Sequence, residues 1–147
     1  MSGSQTVVLV GKVSGPMSKQ QEWLFDTGCL IDIYWGRDRI RPAFDSILAG
    51  ELTPYISVIT EAELWRGLHA GEVEKHQVLL AQFTILPLRS DAARLAGGWM
   101  QHYQADGLGW IDALITSTAK VNEVTVLTRD RKLTQVLARE ANFTLYA

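Results

Sequence analysis

The chain has little of several things that would narrow its chemistry quickly. Its 147 residues include one cysteine, four prolines and three histidines, and neither sign of charge is in large excess. A lone cysteine, Cys29, excludes an internal disulfide and any cysteine-based zinc site. Set between Gly28 and Leu30 in an apolar stretch, it reads as a buried, inert thiol. His69, His76 and His102 are scattered without metal-ligand spacing and read as solvated or helix-face residues. No apolar run approaches the ~20 residues a bilayer-spanning helix needs. The first such run, Thr6–Val10, is too short for a signal-peptide core and no basic residue precedes it. A soluble, cytoplasmic protein is therefore expected. With 14 Lys+Arg against 16 Asp+Glu the net charge is −2, which disfavours a protein that coats nucleic acid by bulk basicity.

The chain does have the length and composition of one ordinary globular domain, 47% hydrophobic and 20% charged. There is no internal repeat and no low-complexity tract. Residues 1–21 stand apart in composition, with Ser, Gly, Gln and Pro around Val7-Val8-Leu9-Val10. They read as an N-terminal leader or extension, non-native or from an upstream start, with Met17 a second possible start and 22–147 the domain proper. Gly11-Lys12 is no phosphate loop, because the Gly-rich lead upstream of it is missing.

From Trp23 onward, apolar runs alternate with helical periodicity. Strands are expected at Trp23–Phe25, Tyr55–Val58, Ile85-Leu86, Val124–Leu127 and Phe143–Tyr146. Helices are expected around Leu30–Tyr34, over Arg41–Ala49 (ending at Gly50), Thr60–Leu68 and Glu72–Phe83, from a Ser90 cap through Tyr103, around Ile111–Ala119, and over Lys132–Ala141. This alternation predicts a three-layer α/β/α sandwich with a central parallel sheet.

Ligands of such sheets bind beyond the carboxyl ends of the strands. Asp26 follows the first strand directly. Asp130 follows Val124–Leu127 after only Thr128 and Arg129. Glu63 falls in the first turn of the helix after Tyr55–Val58, and Asp112 in the first turn after the Asp106-Gly107-Leu108-Gly109 break. These acids are 37, 49 and 18 residues apart, so only the fold can bring them together. Each has a plain structural alternative. Asp26 can cap a helix, Glu63 can close a capping box with Thr60, Asp112 can complement a helix dipole, and Asp130 can sit in a surface turn. Together, however, four carboxylates in one cleft would repel unless cations neutralised them. An all-oxygen donor set points to Mg²⁺ or Mn²⁺, ions that serve phosphodiester hydrolysis.

Four strings, FDTGCLID at 25–32, SVITEAELWRGL at 57–68, IDALITSTAK at 111–120 and LTRDRKL at 127–133, resemble the PIN-domain nucleases, and within them the VapC-type toxins of bacterial toxin–antitoxin pairs. The resemblance spans Trp23 to Ala147. It implies a PIN-like sandwich and a divalent-metal endoribonuclease, with the family's acids at Asp26, Glu63, Asp112 and Asp130 as catalytic and metal-binding residues. Thr27 or Thr128 matches a supporting hydroxyl, and one or two Mg²⁺ ions are implied, Mn²⁺ being able to substitute. The implied partners are RNA as substrate, a cognate antitoxin and a second copy in a homodimer, with no nucleotide cofactor. The motif frame and the following Leu64 favour Glu63 over its neighbour Glu61. Two positions depart from the family: Gly28 stands where Asn is common, and Lys132 and Leu133 stand where an aromatic is frequent.

Arg129, Arg131 and Lys132 flank Asp130 and are candidate RNA contacts. Arg37, Arg39 and Arg41 form a second basic cluster, for which a salt-bridged surface beside Asp38 is an equal reading. Trp23 and Trp99 fit core positions, whereas Trp35, Trp65 and Trp110 are open to interface roles. Two other classes are weighed. An aspartyl-phosphate enzyme of the dehalogenase type needs an acid where Gly28 stands, and a receiver domain needs further acids at the first strand end. A PIN-like binding module without catalysis would not need all four acids. An RNA-processing nuclease without an antitoxin remains the nearest alternative to a toxin. Setting the four acids aside leaves 14 bases against 12 acids, so the net charge conceals a mildly basic remainder.

Overall fold

The computed structural model describes residues 6–9 and 20–147. Among the described residues, six parallel strands form one sheet in the order β1-β6-β5-β2-β3-β4. They are β1 (Thr6–Leu9), β2 (Gln21–Phe25), β3 (Leu52–Ser57), β4 (Thr84–Leu86), β5 (Thr125–Thr128) and β6 (Phe143–Tyr146). The α-helices among the described residues are α1 (Thr27–Tyr34), α2 (Arg41–Leu48), α3 (Val58–Arg66), α4 (Val73–Leu80), α5 (Ser90–Tyr103), α6 (Trp110–Val121) and α7 (Arg131–Val136).

The central strands are apolar along their length because both faces are covered. Trp23 and Phe25 of β2, with Leu127 of β5, pack against Leu30 of α1, Ala43 of α2, Leu64 of α3 and Leu79 of α4. Between them, Leu24 and Val126 point the other way, onto Ala96 and Trp99 of α5, Ala113 and Ile115 of α6 and Leu133 of α7. The expected α/β/α sandwich with a parallel sheet is thus observed, and its two cores follow from the two-residue period of the strands. Cys29 is fully buried, and its thiol donates to the Leu127 carbonyl at 3.1 Å.

The strand order positions the site. From β2 the chain adds β3 and β4 on one side, then returns to place β5 on the other. The order reverses between β2 and β5, where parallel sheets open a crevice at their carboxyl edge. Phe25 is in register with Leu127, so Asp26 and Thr128 leave the sheet side by side. The Asp26 N–H donates to the Leu127 carbonyl at 3.0 Å and extends the pairing to the rim.

Several boundaries differ from expectation. β3 begins at Leu52 and takes in Pro54, which pairs with Trp23 but precedes the first β3–β4 pair, Tyr55↔Thr84, where a missing N–H is tolerated. α3 begins at Val58, because the Ser57 hydroxyl caps it by accepting the Ile59 N–H at 3.0 Å. Thr60 is therefore a buried helix-interior residue, the capping box with Glu63 does not form, and Glu63 lies in the second turn. Ser90 is the first residue of α5 rather than its cap, and no side chain caps that helix. α7 stops at Val136, and turns then carry Leu137 and Ala141 into the core. His76 is buried rather than solvated, with its ring nitrogens 3.2 Å from the carbonyls of Leu64 and Glu72.

β1 occupies one sheet edge, pairing Thr6 to Phe143 through Leu9 to Tyr146, and β2 includes Gln21. Gly11-Lys12 and Met17, on which the reading of the N-terminal stretch turned, lie outside the described residues. No helix among the described residues is long and apolar enough to cross a membrane.

Leu24 is fully buried under α5 and α6, whereas Leu48 is 63% exposed. Leu24→Ala is expected to cost about 2–5 kcal/mol in urea unfolding, and Leu48→Ala about 0.5 kcal/mol or less. Equal losses would contradict the burial of Leu24 between sheet and helices.

Candidate functional site

Asp26 turns the chain from β2 into α1. As the helix cap it has extended backbone, and its Oδ1 accepts the Thr27 N–H at 2.8 Å. Its other oxygen, Oδ2, accepts the Thr128 hydroxyl at 2.8 Å across the β2–β5 boundary. The same hydroxyl accepts the Asp130 N–H at 3.1 Å, so Thr128 joins two of the acids. Asp130 caps α7, its Oδ1 accepting the Leu133 N–H at 3.0 Å. From the other side, the Thr27 hydroxyl donates to Glu63 Oε1 at 2.7 Å and lies 2.9 Å from the hydroxyl of Thr60. Asp112 enters from the first turn of α6, which starts after Gly107 reverses the backbone at φ 98°.

All four acids line one open cleft of about 460 Å³, together with Thr27, Gly28, Ile31, Ile111 and Arg129. The structural and functional readings of Asp26 and Asp130 are therefore not exclusive: each caps a helix through one oxygen and still borders the cleft. Thr60, expected as a helix cap, instead joins the site through the Thr27 hydroxyl. Its signal was its one-turn spacing from Glu63, which puts both on one helix face. Glu61 does not line the cleft.

Crowding shows in the electrostatics. Burial pushes the Asp112 carboxyl up to about 6 from an ordinary 3.8, aided by the charges of Asp26, Asp130 and Glu63. Asp26 is also raised, chiefly by burial. The hydrogen bonds from Thr128 and Thr27 oppose that rise, and the charges of Asp130 and Glu63 add to it. The charges of Asp130 and Glu63 thus disfavour ionisation of both Asp26 and Asp112. Among the described residues, no three of His, Cys, Asp and Glu close on one point as a ready-made ligand set. The acids face a common cleft from its walls.

The basic candidates separate. Arg129 lies in the cleft wall, across Gly28: a β-carbon at residue 28 would come within 3.3 Å of its Nε. The absent Asn side chain is thus the space through which this guanidinium passes. Lys132 lies over Gly107, beside Asp112 and Asp130, in a small adjoining hollow, and Leu133 is buried in the core. Arg131 is exposed and lines neither cavity. Arg37 and Arg39 do not pair with Asp38. They converge on Asp32, a fully buried carboxylate that the sequence reading passed over. A second, more apolar groove of about 360 Å³ opens from the same rim, with Thr27, Ile31 and Glu63 bordering both and Tyr34, Trp35, Leu64 and His76 among its walls. Trp35 and Trp110 are 63% and 54% exposed, and Trp23 and Trp99 are buried.

The raised Asp112 pKa fixes a sign for stability. The folded chain holds this proton more tightly than the unfolded chain, so the group's contribution is most favourable below pH 3.8 and declines as pH rises toward about 6. Without divalent ions at pH 7, Asp112→Asn should therefore stabilise the fold. The gain expected is on the order of 1 kcal/mol after solvent screening, or a melting rise of roughly 3 °C. The rise should shrink on acidification, as scanning calorimetry at pH 4 and pH 7 would show.

The chain is similar to known proteins in family and fold. A family model described as the PIN domain matches residues 23–138. A comparison with curated protein sequences finds no match. Among solved structures, a chain of a toxin–antitoxin complex from Klebsiella pneumoniae is 30% identical, with TM-score 0.61 over 78% of this chain and 89% of that one. A chain of the FitAcB structure from Neisseria gonorrhoeae is 26% identical, with TM-score 0.62 over 83% of this chain and 96% of that one. A chain of VapBC2 from Rickettsia felis, bound to a DNA fragment from its promoter, is 21% identical, with TM-score 0.70 over 86% of this chain and 100% of that one. The chain belongs to the PIN-domain family, and its fold is that of the VapC-type toxins within it.

Proposed function

We propose that the protein is a Mg²⁺- or Mn²⁺-dependent endoribonuclease and the toxin of a toxin–antitoxin pair. The observation that carries this reading is the meeting of Asp26, Glu63, Asp112 and Asp130, from four separate segments, in one cleft at the sheet's switch point. The donor set fits a hard divalent ion, since it is all oxygen. An open cleft fits Mg²⁺ in particular, which keeps several waters and takes only one or two carboxylates directly. Asp26 and Asp112 would hold the first ion. Glu63 and Asp130 would act directly, through water or at a second ion. A divalent ion in this place supplies the Lewis acidity that lowers the pKa of an attacking water and offsets charge on the phosphate oxygens.

The protein's own groups do the positioning. Thr128 and the Thr27 N–H each hold one oxygen of Asp26, and the Thr27 hydroxyl holds Glu63, so two acids enter the cleft in fixed rotamers. Arg129, in the cleft wall, and Lys132, at its margin, are placed to receive the phosphates that flank the scissile bond. Arg131, more distant, would act along the strand. The apolar groove with Trp35 offers the surface an antitoxin would cover, consistent with structural neighbours that come from toxin–antitoxin complexes. We also place a homodimer and the cytoplasm in this reading, and treat residues 1–21 as an extension to the 22–147 domain.

Cleavage of single-stranded RNA should require Mg²⁺ or Mn²⁺, stop with chelator, and fall by at least about 100-fold in Asp26→Asn and in Asp112→Asn. Variants that cleave like the parent would overturn the site. Growth arrest on expression, relieved by Asp112→Asn and by a co-expressed upstream partner, would separate a toxin from an RNA-processing nuclease. A monomer on sizing, alone and with that partner, would remove the homodimer.

A further inference from the structure

Asp32 is an unusual carboxylate. It is fully buried, yet three guanidiniums reach it. Arg39 grips it with two bonds, Nε to Oδ2 at 2.8 Å and Nη2 to Oδ1 at 2.9 Å. The Tyr146 hydroxyl donates to Oδ2 at 2.9 Å. Arg37 adds Nη1 to Oδ1 at 3.1 Å, and Arg129 approaches Oδ2 with Nε at 3.5 Å. Burial alone would raise its pKa, but the bonds from Arg39 and Tyr146, the charge of Arg129 and the bond from Arg37 hold it below the ordinary carboxylate value.

A two-bond arginine and a phenol already satisfy a buried carboxylate. Arg37 and Arg129 exceed that need. Together the group carries three positive charges against one negative, and the side chains of Arg37, Arg39 and Arg129 are 47%, 36% and 37% exposed. Like charges gathered at a surface repel, so holding them together is costly unless a further anion completes the set. The guanidiniums keep donors to spare, because Arg37 uses one nitrogen on Asp32 and Arg129 only its Nε. Arg129 also lines the acidic cleft, so the cationic group and the four acids share one rim.

We propose that Arg37, Arg39 and Arg129, tethered by buried Asp32, form a phosphate-binding platform that holds the RNA backbone beside the acidic cleft. This rests on the ribonuclease reading for its substrate and adds to it a built anion site. It joins two basic clusters that lie far apart in sequence. Asp32 acts as a positioning residue, turning three long, mobile side chains into one surface. Gly28 serves the same end by leaving room for Arg129.

The test uses a fluorescein-labelled single-stranded RNA, read by anisotropy across a salt series in Mg²⁺, with Asp112→Asn in every protein to suppress cleavage. Arg37→Gln should weaken binding about threefold to tenfold and flatten the plot of log affinity against log salt by about 0.7, one phosphate contact on a single strand. Arg37→Lys, which keeps the charge, should restore most of the slope. Arg94→Gln, at an exposed position on α5, should leave it unchanged. Folding of each variant is checked by thermal melting. If Arg37→Gln melts early, Arg129→Gln, whose contact with Asp32 is the longest, is read in its place. A slope that Arg37→Gln or Arg129→Gln moves no more than Arg94→Gln overturns the platform. If the unmodified protein cleaves RNA while that slope stays fixed, the platform alone falls. If it binds with the predicted slopes but never cleaves, the ribonuclease reading falls and the anion site stands.

Discussion

The pairing of β2 with β5 is the constraint on which the rest depends. These strands are far apart in the chain and adjacent in the sheet, and the strand order reverses between them. Phe25 beside Leu127 sets the register, and that register puts Asp26 next to Thr128. A one-residue slip would turn every side chain to the opposite face and separate the two. The apolar cores on both sides of the sheet therefore do more than stabilise it. By fixing register they bring the carboxylates to one place.

The fold holds that arrangement against an electrostatic cost. Asp26 and Asp112 are both harder to ionise than a free carboxylate, through burial first, with the charges of neighbouring acids adding to it. Small polar groups offset part of this. Thr128 and the Thr27 backbone serve Asp26, the Thr27 hydroxyl serves Glu63, and the first turn of α7 serves Asp130. Beyond Arg129, which borders the cleft, the charge is reversed, with one anion, Asp32, among three arginines. The rim thus has an anionic pole suited to a cation and a cationic pole suited to a phosphate. A net charge near zero hides both.

Much of this was legible in the sequence, for a physical reason. Asp26 and Asp130 follow buried, strongly apolar strands, and a residue that ends a parallel strand lies near the ligand-binding edge whatever the strand order. Helix boundaries were harder to read. The start of α3 depended on a single hydroxyl, Ser57, competing with Thr60 for the cap, and sequence alone does not rank two such residues. Asp32 is hard to find from sequence because an acid in an apolar helix has no partner at the helical spacing of three or four residues. Its arginines come from the following loop and from the end of β5, and Tyr146 from the last strand. Proximity in sequence offers Arg37 and Arg39 the neighbouring Asp38, as one of two equal readings, whereas in the fold they turn back to Asp32 in the helix before them.

If the β2–β5 rim is a divalent-cation site, electron paramagnetic resonance of Mn²⁺ titrated into the protein shows it without reference to any substrate. Free Mn²⁺ signal should be lost to one or two bound ions per chain and restored by excess Mg²⁺. Asp26→Asn, which keeps the cap and the shape, should abolish most of that binding. Undiminished Mn²⁺ binding by Asp26→Asn, or none by the parent, would contradict it.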